Sequence, residues 1–394
     1  MLGYWGKRLR KKKKFSLPEV IEEKFGIRNK YLITLIIFLV IICFMGIQLK
    51  TAAIVMNSVV NIPENYAILL MCGIVVLYTF FAGLLADIYT DTLQLAIIIL
   101  ALILSSCYIY NAIGGFQMLK TMLLKVSLYG PDKYFAIFGQ GTSIISTIIL
   151  FLGTLMLVGL TIFTDPALHQ RIYAAKNTKE VKNSGIFAGI SYIIFGLLIV
   201  WVTIGGNIIL GSGLSGEHII PELASGFLPP ILGGLLLAAL LSASMSTIDS
   251  DFLLLSTVLV NDYYRKKINP IAKDKDLLNI SRALIILFGA LAVILALISP
   301  SVINLLQTTW VFLVASISVS VFCVIFNKGN DLGATLSILG GFLSAVFIVF
   351  IFKLDPVQYF LFCVLISALA MIIGTNIRQA RKYLPERDGS KMTD

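Results

Sequence analysis

The sequence predicts an all-α, polytopic membrane protein of about ten transmembrane helices, on three observations. The first is composition. The 394 residues are 58% hydrophobic and 13% charged, with a mean hydropathy of +0.93. A soluble domain carries about 25% charged residues, so a water-facing surface for this chain cannot be assembled. The second is length. Ten stretches meet the roughly 20 apolar residues that a bilayer crossing needs: 31–59, 65–84, 91–112, 143–163, 185–210, 230–259, 282–299, 302–326, 332–352 and 357–376. The third is pattern. Most stretches are continuously apolar with no two-residue alternation, which argues for helices over a lipid-facing barrel. A helix also bonds its own backbone groups, as the hydrocarbon requires.

In chain order, residues 1–30 form a basic and amphipathic segment. The run Lys7–Lys14 is drawn to anionic lipid and leads into polar sequence, so it is not a secretory signal peptide. In KFSLPEVIEEKFGIRNK (14–30), Pro18 suits a first helical turn, Ser16 a cap and Glu19 the positive helix end. The second and third spans meet in a tight elbow, YTFFAGLLADIYTDTLQ (78–94), where Asp87 and Asp91 share a helix face. The connection 113–142 is expected to carry a short helix around 116–127. Polar loops follow at 164–184 and 261–276, and the tail after Arg378 is expected to be disordered.

Charge orients these elements. With a cytoplasmic N-terminus, 26 of the 31 Lys and Arg residues fall on the inner side, as the positive-inside bias requires. Ten spans then return the C-terminus to the cytoplasm. The net charge of +10 therefore reads as topology and not as nucleic-acid binding.

All five cysteines fall inside predicted spans without metal-ligand spacing and read as small core residues. Both histidines lie outside the spans. No phosphate loop, HExxH or acid/base pair is present, so the chain is not read as an enzyme. The chemistry concentrates in the sixth span, LLSASMSTIDS (240–250). Its serines have a structural reading, through bonds to the i−4 carbonyl and close helix packing. Asp249 raises the functional one, because an intramembrane carboxylate usually marks an ion or substrate path. Ser246 and Thr247 are adjacent hard oxygen donors, and the Ala243 carbonyl lies one turn away. Hard oxygens suit an alkali cation. Other intramembrane polar residues are Gln48, Lys50, Asn57, Tyr192, Gln307, Thr308, Thr309 and Trp310. Lys50 reads as snorkelling toward the outer interface.

Four motifs in order resemble the sodium/solute symporter family, which includes proline, pantothenate, sialic acid and sugar transporters. They are FSLPEVIEEKFG (15–26), YTFFAGLLADIYTDTLQ (78–94), TDPALHQRIYAAKNTKEVKNSG (164–185) and SASMSTIDSDFLLLSTVLVNDYY (242–264). The resemblance implies a LeuT-like inverted-repeat core of five plus five helices, with ions and substrate near the midplane where helices break. It implies sodium-coupled symport of a small organic solute by alternating access at the cell membrane. The matching sodium ligands are the Ala243 carbonyl, the Ser246 and Thr247 hydroxyls, and Asp91 near the cytoplasmic ion exit. Gln307 matches a substrate contact of sugar transporters. Gln48, Thr308 and Trp310 complete the candidate substrate set. Sodium, the solute and membrane lipid are the implied partners.

The departures matter too. Val158 and Ile162 stand where proline transporters carry an aromatic pair, and Tyr192 near the sugar transporters' lysine, so neither proline nor hexose is supported. The LPEV segment normally follows three spans, so the chain reads as an N-terminally shortened form. On that reading, 31–112 holds three helices of the first repeat, 143–326 the five of the second, 327–376 two peripheral helices and 377–394 the cytoplasmic tail. The resemblance then puts the opposite wall of the sodium site outside this sequence. The alternative is a degenerate transporter scaffold acting as a binding or regulatory membrane protein.

Overall fold

The computed structural model describes residues 2–383 except 11–13, 15, 116, 119–143, 212–213, 215, 300 and 355. The expected helix around 116–127 and the segment 384–394 fall outside the described residues, apart from 117–118. The described residues are predominantly helical, with no strand among them. Nine helices are long and apolar enough to cross a membrane, or ten if one bent pair, Phe151–Thr164 with Pro166–Ala174, counts as a span.

Two short helices precede the first span. Helix α1 is Leu2–Arg10 and α2 is Leu17–Phe25. The α2 start follows the expected chemistry: Ser16 caps it, accepting from the Glu19 N–H at 3.3 Å, and Pro18 sits in the first turn. Both helices are more deeply packed than a surface segment. Trp5, Leu9, Leu17, Val20, Ile21 and Phe25 are all buried. Gly26 then turns the chain at φ +83°, a conformation that favours glycine.

The spans are α3 (Ile27–Val60), α4 (Glu64–Ile113), α5 (Ile144–Thr164), α7 (Thr178–Leu210), α9 (Pro230–Thr257, continued as a π-helix over Val258–Ile268), α10 (Asp274–Ile298), α11 (Val302–Ile325), α12 (Asp331–Val346, continued as a π-helix over Phe347–Ile351) and α13 (Pro356–Tyr383). Short helices α6 (Pro166–Ala174) and α8 (Ile219–Gly226) lie between them. Helix α13 runs past Arg378 to Tyr383, so the polar tail starts later than composition suggested.

Helix α3 is the hub, packing against α4, α9, α10 and α11. Its mean hydropathy of 2.9 is the highest of the spans. Lys50 on it does not snorkel to water alone; its ammonium donates to the Ser299 carbonyl. Of the cysteines, Cys72, Cys323 and Cys363 are buried, whereas Cys107 is exposed, so the all-core reading fails there. Helix α4 contains two apolar stretches, Glu64–Phe81 and Tyr89–Ile113. Tyr78 and Asp91, on either side of the expected elbow, both reach the same turn of α9, at Asp249 and Ser246. A straight helix would set these two positions about 20 Å apart along its axis, and their α9 partners are about 4.5 Å apart. That convergence is what a bend between the stretches produces. Near it, the Arg282 guanidinium takes up the Phe80 carbonyl at 3.1 Å.

Candidate functional site

The site is built on α9, where it crosses α4. Pro230 fits the first turn of α9, since its missing N–H costs nothing there. Eleven apolar residues, Ile231–Leu241, mostly the helix formers leucine and alanine, follow before the polar cluster. Ser242 and Ser244 are buried, Ser246 and Thr247 half-buried, and Ala243 exposed. Small residues at this crossing let the helix backbones approach closely.

Four of the expected ion residues pair off. The Ser246 hydroxyl donates to Asp91 Oδ1 across the α4–α9 contact. The Thr247 hydroxyl donates to the Ala243 carbonyl at 3.1 Å, a back-bond within α9. The structure thus sets two hydroxyls and a carbonyl on one turn of α9 and a carboxylate on the helix beside it. Such oxygens are hard donors with a single negative charge, a set that matches a small monovalent cation.

Sequence reasoning missed two neighbours. Arg171 on α6 lies 3.7 Å from Asp91 Oδ2 and donates to the Ser250 hydroxyl at 3.3 Å. It is positioned by Asp165, which caps α6 by accepting from the N–H groups of Ala167 (2.8 Å) and Leu168 (3.4 Å). The chain bends by 51° between α5 and α6 at this point. The signal for Arg171 was present in the QR pair of the 164–185 motif. Tyr78 is the second: its hydroxyl donates to Asp249 Oδ2 at 2.6 Å. Asp249, only 1% exposed, also accepts from the Ser250 N–H at 2.7 Å. The carboxylate that marked α9 in the sequence therefore ties α4 to α9, one turn from the Asp91 pair.

The candidate substrate residues lie elsewhere. Gln48 is half-buried on α3; Gln307, Thr308 and Trp310 are half-buried on α11, and Trp310 packs against the cluster of Leu157, Val311 and Val314. Among the described residues no hydrogen bond joins any of the four to the Asp91–Ser246 pair. They share only the packing of α3 against α11. Tyr192 is 71% exposed on α7.

Comparison with known proteins places the chain. The sodium:solute symporter family model matches residues 1–341. A high-affinity proline transporter of Bacillus subtilis is 29% identical over 323 residues, covering 79% of this chain and 66% of that protein. A sodium/pantothenate symporter of Haemophilus influenzae is 26% identical, covering 90% of this chain and 73% of its own length. The rat sodium/glucose cotransporter 2 is 25% identical, at 84% and 56%. Among solved structures, a sodium-coupled sialic acid symporter in a substrate-bound outward-open state superposes with a TM-score of 0.77 at 18% identity, covering 93% of this chain and 78% of that one. That likeness establishes a shared fold. The chain spans about two thirds of the length of the first proline-transporting relatives. With the family model matched over most of its length, the chain belongs to the sodium:solute symporter family.

Proposed function

We propose that this membrane protein carries a small organic solute together with sodium, by alternating access, and that sodium sits between Asp91 and the Ala243, Ser246 and Thr247 oxygens. The observation that carries the reading is the Ser246–Asp91 hydrogen bond. It joins two family-motif residues 155 positions apart in the chain, on two different helices. Arg171 beside Asp91 supplies an exposed positive charge that competes with the ion for the carboxylate. An ion that bridges α4 and α9 biases the equilibrium between states by its difference in affinity for them. The relatives are named for proline, pantothenate and glucose. Gln48, Gln307, Thr308 and Trp310 are proposed to contact the solute between α3 and α11. The basic loops and both termini are assigned to the cytoplasmic face by the positive-inside bias.

The test is uptake into vesicles reconstituted with the protein, using labelled proline, pantothenate, sialic acid and glucose under an inward sodium gradient or a matched potassium gradient. Accumulation of one solute with sodium only supports the proposal. Equal accumulation under both gradients contradicts it.

A further inference from the structure

The turn of α9 that carries the proposed ion hydroxyls is met at both of its ends by one side chain. Tyr78, from the first apolar stretch of α4, donates its hydroxyl proton to Asp249 Oδ2 at 2.6 Å, and the same hydroxyl lies 3.3 Å from the Met245 carbonyl oxygen. Met245 and Asp249 are four residues apart, so they open and close a single helical turn. Ser246 and Thr247 lie between them. Asp249 is itself held: it is buried, and its other oxygen accepts from the Ser250 N–H at 2.7 Å.

Tyr78 stands on firm ground. Its ring packs against the core cluster that includes Val75, Ile248 and Phe252, all fully buried. Gly289 lets α10 close on the same stretch of α4, since a Cβ there would lie 2.9 Å from the Val76 side chain and 3.1 Å from the Cys72 sulfur. Two residues beyond Tyr78, the Arg282 guanidinium of α10 bonds the Phe80 carbonyl at 3.1 Å and lies over the Phe80 ring at 4.8 Å. The tyrosine therefore rises from a backbone tied to α10 and reaches across to α9.

This anchoring fixes where two hydroxyls sit. An oxygen roughly 5 Å from a helix axis moves by about 0.9 Å when its turn rotates by about 10°. Distances from an ion to its ligands tolerate only about 0.2 Å. A turn free to rotate by that much no longer separates cations of neighbouring size.

We infer that Tyr78 is a positioning residue for the ion: by bonding both ends of the Met245–Asp249 turn, it sets the affinity and the size selectivity of the sodium site while acting through α9 and not as a ligand. The inference rests on the reading that sodium sits among Asp91, Ala243, Ser246 and Thr247. The two stretches of α4 then play different parts. The second supplies Asp91 as an ion oxygen, and the first holds the opposing turn in register with it.

The test is equilibrium binding of radioactive sodium to the purified full chain in detergent, with lithium and potassium as competitors. Removing a group that orients metal ligands weakens binding by about tenfold or more. Tyr78→Phe should therefore lower sodium affinity about tenfold and narrow the preference for sodium over lithium. Asp249→Asn keeps an acceptor but makes the bond neutral, about half as strong, so it should lower the affinity about threefold; it carries the test if Tyr78→Phe does not fold. Gly374→Ala crowds the distant α12–α13 contact and controls for lost stability, so its affinity and selectivity should match the parent's. Unchanged affinity and selectivity in Tyr78→Phe, or in Asp249→Asn where that variant stands alone, overturns the inference, as does an equal change in Gly374→Ala. A greater loss in Asp249→Asn than in Tyr78→Phe also overturns it, because Asp249 then holds the ion directly. No sodium binding by the parent, or undiminished binding by the Asp91→Asn, Ser246→Ala double variant, fails the site reading itself and the inference with it; normal parent binding that is lost in that double variant but unchanged in Tyr78→Phe fails the inference alone.

Discussion

Removing the Tyr78 hydroxyl should weaken the α4–α9 crossing by an amount that depends on the charge of Asp249. The hydroxyl donates to Asp249 Oδ2 at 2.6 Å, and Asp249 is 1% exposed. A hydrogen bond to a charged group contributes about 1.5–3 kcal/mol, against about 0.5–1.5 kcal/mol for a neutral one. Tyr78→Phe deletes the donor, keeps the ring and leaves a buried carboxylate one partner short. Its cost should be about 2 kcal/mol. Asp249→Asn keeps the shape and an acceptor oxygen while removing a buried charge, so its cost should stay below about 1 kcal/mol. In the Asp249→Asn background, Tyr78→Phe loses only a neutral bond. The two substitutions should therefore couple by roughly 1 kcal/mol in a double-mutant cycle. The assay is equilibrium unfolding of the four proteins in detergent with a graded denaturant. An equal cost of Tyr78→Phe in both backgrounds would refute the claim that this bond is charge-assisted. No cost in either would refute the bond itself.

Three further outcomes follow from the packing. At the α12–α13 contact, a Cβ added to Gly374 would lie 2.7 Å from the Gly333 Cα and 2.8 Å from its nitrogen, both backbone atoms. Gly374→Ala should cost about 1–3 kcal/mol, whereas Gly234→Ala, with open space around it, should be neutral or stabilising by helix propensity; paired melting curves decide. Trp5 is buried with its ring edge-on to Phe163 at 5.2 Å and stacked on His169 at 5.7 Å. Trp5→Ala should release α1 and speed tryptic cleavage in the run Lys7–Lys14; unchanged cleavage would show that α1 is held by something else. Arg171 is 66% exposed, so its pair with Asp91 is worth under about 1 kcal/mol. Arg171→Gln should raise sodium affinity by a few-fold at most, read from sodium-dependent thermal stabilisation, and a fall in affinity would reverse the role assigned to it.

Which parts of this molecule were readable in advance has a physical pattern. Spans are written locally, in continuous apolar runs, and nine or ten appear in the structure. The α2 start was equally local, since Ser16, Pro18 and Glu19 act within one turn. Burial was not local. Helices α7 and α11 have nearly equal mean hydropathy, 2.4 and 2.2, yet 22% of one apolar window is buried and 72% of the other. Lipid is as apolar as a protein core, so hydropathy does not separate the two. For the same reason the exposed Cys107 looked like the buried Cys72. The N-terminal ten residues misled in the opposite sense. Their basic charge suggested a surface segment, but Trp5 and Leu9 anchor them in the core. At the site, the motif residues Asp91 and Ser246 were named separately, and only the crossing of α4 and α9 puts one against the other. Arg171 and Tyr78 both lie in quoted motifs, but only that geometry aims them at Asp91 and Asp249.

The central claim is that sodium occupies the α4–α9 turn. Equilibrium binding of radioactive sodium to the purified protein, in a constant potassium background, tests it most directly. The account predicts saturable binding displaced by unlabelled sodium and not by potassium, weakened at least tenfold in Thr247→Ala and abolished in the Asp91→Asn, Ser246→Ala double variant. Saturable binding of the same strength in those variants would place the ion elsewhere and contradict the account.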